Sequence, residues 1–277
     1  MKDVTCIYHS RDLDGWMSGA IVKLRYPNVK LIGWDYGQPL PELDMSEFVV
    51  MVDISFPRGN MMEIAGVNGL VWIDHHISAI NDIGEVRNSF GGVQNPKKSA
   101  CELTWEYLFP NTKMPEIVRL LGRYDCFGHK GTDEEQSVLE FQFAARAYWG
   151  SVDDCYEAFK HDDTRTVGLF SELGKGIYKY LCTEAKQAYE NRFLIELDGH
   201  NFACVNKERF NPINFGINYH NDGYEGFACF WYANGAYNYS LYNDNGNVDC
   251  SVIAKNRGGG GHKGASGFRS CYPIGHE

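Results

Sequence analysis

Short apolar runs alternate with helical patterns through the first hundred residues, and this alternation restricts the chain to few architectures. Val4 to Tyr8, Lys30 to Trp34, Phe48 to Val52 and Leu70 to Ile73 each have the length and apolar content of a buried strand. Helical patterns run from about Trp16 to Leu24 and from Pro57 to about Ala65, Pro57 being suited to a helix start. Strands and helices interleaved at this spacing predict an α/β domain built on a doubly wound parallel sheet. In such sheets ligands gather beyond the carboxyl ends of the strands. Three of the four predicted strand ends carry side chains that bind metals or move protons: His9, Asp12 and Asp14; then Asp53; then Asp74-His75-His76. A random scatter of acids would not follow strand ends in this way.

Further along, Ser99 to Phe109 reads as a helix, with Ser99 and Glu102 spaced as a capping box. Pro115 to Arg123 is another helix, which places Asp125 at its end. Glu135 to Trp149 and Val152 to Lys160 are also helical. One long helical pattern then runs from Thr166 to about Glu196, interrupted at most by Gly174 and Gly176, for which close helix packing is a better explanation than a hinge. From Asn201 the character turns to β. Phe227 to Tyr232 and Tyr237 to Tyr242 are aromatic strands around Asn234-Gly235, a hairpin signal. The expected organisation is an N-terminal domain over 1–165, a helical connector over 166–197 and a smaller α+β C-terminal domain over 198–277.

Two domains also follow from the length, because 277 residues exceed what one core usually holds. The net charge of −10 disfavours a surface that grips long DNA or RNA by its phosphates. It leaves room for a small anionic substrate, since divalent cations can supply local positive charge. Nine cysteines stand singly with no CxxC pair, which predicts reduced thiols in a cytoplasmic protein. Met1-Lys2-Asp3 leads straight into a strand without a signal peptide, and no apolar run is long enough for a membrane span.

His9, Asp12 and Asp14 alternate carboxylate and imidazole on a tight turn, a set that favours manganese or another transition ion over calcium. Acids at a helix start also favour the helix dipole, and Asp74 could simply cap the next helix; each motif alone supports either reading. Together, four aspartates (12, 14, 53 and 125) and two histidines (9 and 75) suffice for two ions. Two ions about 3.5–4 Å apart are the usual device for phosphoester hydrolysis. In the run Gly258 to Gly261 followed by His262, backbone N–H groups can converge on an anion, with a flexible loop as the alternative. Most of the aromatic strand residues are expected in a core, with one or two left to stack on bases.

With these motifs in order, the chain resembles the DHH phosphoesterase superfamily with its DHH-associated C-terminal domain. His9-Ser10-Arg11-Asp12-Leu13-Asp14-Gly15 resembles the first motif, Asp53 the second, Asp74-His75-His76 the third and Asp125 the fourth, while Gly258 to His262 is similar to the glycine-rich motif of the C-terminal domain. The first motif and Arg123-Tyr124-Asp125 look most like the oligoribonuclease, nanoRNase-like branch. The resemblance implies that His9 and Asp12 bind one manganese, that Asp14, His75 and Asp125 bind the other, and that Asp53 bridges. It implies that His76 supports the site near the scissile phosphate and that Asp74 orients the histidines. Gly259, Gly260, Gly261 and His262 would hold substrate. Tyr242 stands where relatives acting on nucleotides often show an arginine.

The expectation is therefore a metal-dependent phosphodiesterase using two divalent cations, Mn2+ first and Mg2+ or another transition metal as alternatives. It would cut short RNA or linear dinucleotides to nucleoside monophosphates. Its partner is a short RNA or nucleotide, not long DNA or a membrane, with homodimerisation left open. Alternative readings are a cyclic-dinucleotide phosphodiesterase or small phosphorylated-nucleotide phosphatase, an exopolyphosphatase, and a non-catalytic nucleotide sensor.

Overall fold

Both neighbours in a buried strand must be apolar when helices cover both faces of its sheet, and this is how the predicted strands fold. The computed structural model describes residues 3–44, 46–161, 163–208 and 210–274. Its elements begin β1 (Val4–His9), α1 (Leu13–Arg25), β2 (Lys30–Trp34), β3 (Phe48–Val52), α2 (Arg58–Val67), β4 (Leu70–Asp74), α3 (Ile77–Ile83) and β5 (Gly91–Gln94). All five strands are parallel, in the order β2-β1-β3-β4-β5. On one face Cys6, Val50, Val52 and Ile73 pack with Val22 of α1. On the other, Ile7, Met51 and Trp72 pack with Met61 of α2 and Ile80 of α3. The sheet is doubly wound, as expected. Strand order reverses between β1 and β3, so the carboxyl ends of those two strands border the crevice where such folds place ligands.

Four helices follow: α4 (Ala100–Leu108), α5 (Glu116–Asp125), α6 (Glu135–Tyr148) and α7 (Val152–Ala158). They add Cys101, Val118, Phe141 and Val152 to the core behind α1. The Ser99–Glu102 capping box forms at the start of α4. Strand β5 escapes the sequence reading because Gly91 and Gly92 show no alternation. Its Gly92 has φ 106°, and a Cβ there would lie 2.0 Å from the Trp72 carbonyl oxygen.

Helix α8 (Asp163–Glu190) is long, but it stops short of Glu196. The expected helical stretch up to Glu196 is corrected by β6 (Phe193–Leu197), which pairs antiparallel with β7 (His200–Asn206). Ile195 and Leu197 alternate inward while Leu194 faces out, and Asp198-Gly199 turns with φ 51° and 82°, the conformation of a tight hairpin. Gly174 is a packing glycine, since a Cβ there would come within 2.0 Å of the Glu140 carbonyl oxygen on α6. No such contact surrounds Gly176.

Besides short 3-10 helices at Gly84–Ser89, Pro212–Phe215 and Tyr219–Asp222, the chain adds β8 (Gly226–Ala233), β9 (Ala236–Tyr242), α9 (Cys250–Lys255), β10 (Gly260–His262) and β11 (Ala265–Ser270). They complete a six-stranded sheet of order β10-β11-β9-β8-β7-β6 in which only β7 and β8 are parallel neighbours among the described residues. Asn234-Gly235 forms the expected turn, at φ 52° and 75°. Phe227 and Tyr239 are buried, whereas Tyr232 is exposed. The chain divides into compact units at residues 1–177 and 178–277, a boundary inside α8. All nine cysteines are free. Among the described residues no helix is long and apolar enough to cross a membrane.

Candidate metal centre

The acid-and-histidine motifs of the first unit converge at the carboxyl ends of β1, β3 and β4. His9 ends β1, and Asp12 caps α1 by accepting the Gly15 N–H at 3.0 Å. That first turn presses on the strand: a Cβ at Gly15 would lie 2.1 Å from the His9 carbonyl oxygen. The glycine thus allows Asp12 to stand 3.0 Å from His9 Nδ1. Asp14, one residue into the buried face of the helix, accepts the N–H groups of Ala100 and Cys101 at 2.8 Å each, which anchors the start of α4. Its Oδ2 also lies 3.7 Å from His75 Nε2.

Asp53 follows β3 in the left-handed region, at φ 59°. Aspartate is one of the few non-glycine residues that adopt this conformation readily. The conformation aims its carboxylate between the histidines: Oδ2 is 3.4 Å from His9 Nδ1, and Oδ1 is 3.4 Å from His75 Nε2 and 3.7 Å from His76 Nδ1. Asp125, at the end of α5, brings Oδ2 to 3.5 Å from His75 Nε2. Thus His9, Asp12 and Asp53 form one ligand-like group, while His75 faces Asp14, Asp53 and Asp125 from the other side.

Asp74 is fully buried and does not cap α3, whose N-terminal flank is His76. Its Oδ1 accepts the backbone N–H groups of His75 and His76 at 2.7 and 3.0 Å and meets His76 Nδ1 at 2.7 Å. It therefore orients the ring of His76. The ring of His75 has a different neighbour, Cys126, whose Sγ is 3.9 Å from Nδ1. Cys126 was invisible to the sequence reading because it follows Asp125 without any motif. Asp35 was missed as well; it follows β2 and places Oδ1 3.5 Å from His9 Nε2. The signal that would have found it is the rule already used, an acid just past a strand end.

Electrostatics shows what this cluster lacks. Both Asp53 carboxylate oxygens are buried and accept no hydrogen bond, and His9 Nδ1 is likewise without one. Burial, followed by the charges of Asp14 and Asp12, pushes the Asp53 carboxyl well above the ordinary range. Burial and Asp14 do the same to Asp125. Burial would depress the His9 imidazolium, but Asp12 and Asp53 outweigh it and push the ring up to about 11. Asp12 stays below its ordinary value despite burial, through His9 and the Gly15 N–H. A buried carboxylate whose oxygens accept no hydrogen bond costs about 1–3 kcal/mol or more, even with imidazoles nearby. Divalent cations among these oxygens and ring nitrogens would satisfy the orphaned atoms and reverse the repulsion. The donor set, hard oxygens with imidazole, fits such ions.

In the second unit the glycine run is neither a floppy loop nor an open turn. Gly260 to His262 form the edge strand β10, paired with β11. A Cβ at Gly259 would stand 2.1 Å from the Gly267 carbonyl oxygen, and one at Gly261 2.6 Å from Ser266 Cα, so packing alone demands both glycines. Gly260 faces open space, and His262 is exposed.

No family model matches the chain. It is 25% identical over 286 residues to an uncharacterized protein, R106, of Acanthamoeba polyphaga mimivirus, an alignment covering 96% of this chain. The chain spans 60% of the length of that curated relative. Among solved structures, the pGpG-specific phosphodiesterase PggH of Vibrio cholerae matches with a TM-score of 0.51 and 12% identity, covering 97% of this chain and 93% of that one. An exopolyphosphatase-related protein from Bacteroides fragilis matches with a TM-score of 0.47 and 15% identity, covering 99% and 88%. The likeness to PggH shows a shared fold.

Proposed function

We propose that the protein is a metal-dependent phosphodiesterase of the DHH superfamily, in its oligoribonuclease-like branch. It hydrolyses short oligoribonucleotides or linear dinucleotides to nucleoside monophosphates. The observation that carries this reading is the Asp53 carboxylate, buried without a hydrogen bond between His9 and His75. A pair of divalent cations, Mn2+ in the first instance, would there supply an acidified water and offset charge on the phosphoryl oxygens. His9 and Asp12 would hold one ion, Asp14, His75 and Asp125 the other, and Asp53 both. Asp74 fixes the tautomer and angle of His76, which supports the substrate phosphate. Gly259, Gly260, Gly261 and His262 are the proposed substrate-binding residues. Sharing a fold with a phosphodiesterase that acts on pGpG supports a small phosphodiester. The net charge of −10 favours a short substrate over a long one.

Purified protein with Mn2+ is offered a linear diribonucleotide, a cyclic dinucleotide, a nucleoside bisphosphate and polyphosphate. Preferred cleavage of the diribonucleotide to monophosphates is expected. His262→Ala should raise KM while leaving manganese affinity near its original value. Tight nucleotide binding without cleavage of any phosphoester would make the chain a sensor instead.

A further inference from the structure

A cavity of ≈ 530 Å³ is lined from the end of β2 and the loop after it, from the segment after β3 and from α3. Trp34, the last residue of β2, and Tyr36 and Gln38 in the loop after it line the cavity on either side of Asp35, whose carboxylate reaches His9 at 3.5 Å. Ser55 and Phe56 line it from the segment directly after Asp53. Ser78 and Asp82, one helical turn apart on α3, close it just beyond His76. Ser55 and Phe56 thus lie close in the chain to Asp53, and Ser78 close to His76.

Its chemistry differs from that of the centre. Trp34 packs edge-on against Phe56, with centroids 4.8 Å apart, and against Tyr36 at 5.5 Å. Trp34 and Phe56 are buried core rings, but Tyr36 is 54% exposed. Tyr36 is therefore the one of the three rings that is open to a ligand, and a ring face is of no use to a chain of phosphates. Polar groups edge the cavity: the Gln38 carboxamide, whose oxygen accepts the Asp35 N–H at 3.0 Å, the Ser78 hydroxyl and the exposed Asp82 carboxylate. An apolar volume of this size with a few convergent polar groups is the usual form of a small-molecule site, for which about 300–1,000 Å³ is typical.

We infer that this cavity receives the base of the nucleotide whose phosphate lies at the metal centre, with Tyr36 as the stacking ring and Gln38, Ser78 and Asp82 meeting the base edge. The inference deepens the phosphodiesterase reading and rests on it for the fate of the phosphate, but base binding is measured separately. It favours a nucleotide over polyphosphate as the ligand of this cavity.

Calorimetric titration of the full chain in Mn2+ with a nucleoside 5′-monophosphate and with ribose 5-phosphate tests it. The nucleotide should bind at least about tenfold more tightly, the magnitude expected for one base–aromatic stack. Tyr36→Ala should remove most of that ratio, and Tyr36→Phe should keep it. Equal affinity for the two ligands in the unmodified protein, or an unchanged ratio in Tyr36→Ala, would overturn the base site. A chain that discriminates in this way yet cleaves no phosphoester supports the pocket and refutes the hydrolase.

Discussion

Asp53→Asn is expected to act with opposite signs on the metal-free and metal-loaded protein. Asparagine suits the position because the residue stands at φ 59°, which asparagine tolerates well and where alanine would add strain of its own. In the metal-free protein, burial and the nearby Asp14 and Asp12 hold the carboxyl well above its ordinary pKa. An acid raised in the folded state opposes folding once the pH exceeds its unfolded pKa of about 3.9. Its replacement by the neutral amide should therefore stabilise the metal-free fold, by little at pH 4 and more at pH 8. Relief of about 1 kcal/mol would raise Tm by about 2–4 °C in a protein of this size. With Mn2+ the sign reverses, because the variant loses the carboxylate that faces both histidines. Removing one member of a buried charge pair costs about 3–5 kcal/mol, which weakens manganese binding by roughly 10²–10⁴-fold. Thermal melts in EDTA and across a manganese titration read both effects. A lower Tm in EDTA, or a manganese-induced shift equal to that of the unmodified protein, would refute the reasoning.

Three further outcomes are expected. His9, pushed up to about 11, carries a proton at neutral pH in the metal-free protein and must lose it to bind a cation. Manganese affinity should thus rise from pH 6 to 9, with at least one proton released in calorimetry across buffers of different ionisation heat; release of none would remove His9 from the ligand set. Cys126→Ala takes away the sulfur 3.9 Å from His75 Nδ1 and should weaken manganese binding about tenfold, whereas equal affinity would reduce the thiol to packing. Gly259→Ala forces a Cβ to 2.1 Å from the Gly267 carbonyl oxygen and should lose about 1–3 kcal/mol in a melt. Gly260→Ala meets open space and should melt close to the unmodified protein; equal melts for the two variants would dissociate the glycine run from packing.

The parallel sheet was legible because its evidence is local. Phe48 to Val52 and Lys30 to Trp34 are strands over the very residues that the apolar runs predicted. The capping box at Ser99 and the turn at Asn234-Gly235 were legible for the same reason. Where the local signal was weak or misleading, the reading failed. Gly91 and Gly92 have no side chains to alternate, so β5 passed unnoticed. Phe193 to Leu197 is too short to separate helix from strand by periodicity, and only its pairing with β7 decides the matter.

By itself, then, the sequence determined most strands and helices of the first unit, α3 and β5 excepted, and which reactive side chains stand at their ends, because periodicity and capping depend on neighbours along the chain. The order β2-β1-β3-β4-β5 was decided only in three dimensions. So was the aim of Asp53 between His9 and His75, the recruitment of Asp35 and Cys126, and the aromatic cavity behind Ser55. Each depends on contacts between segments far apart in the chain, where side-chain volume and backbone approach, not residue spacing, choose the neighbour.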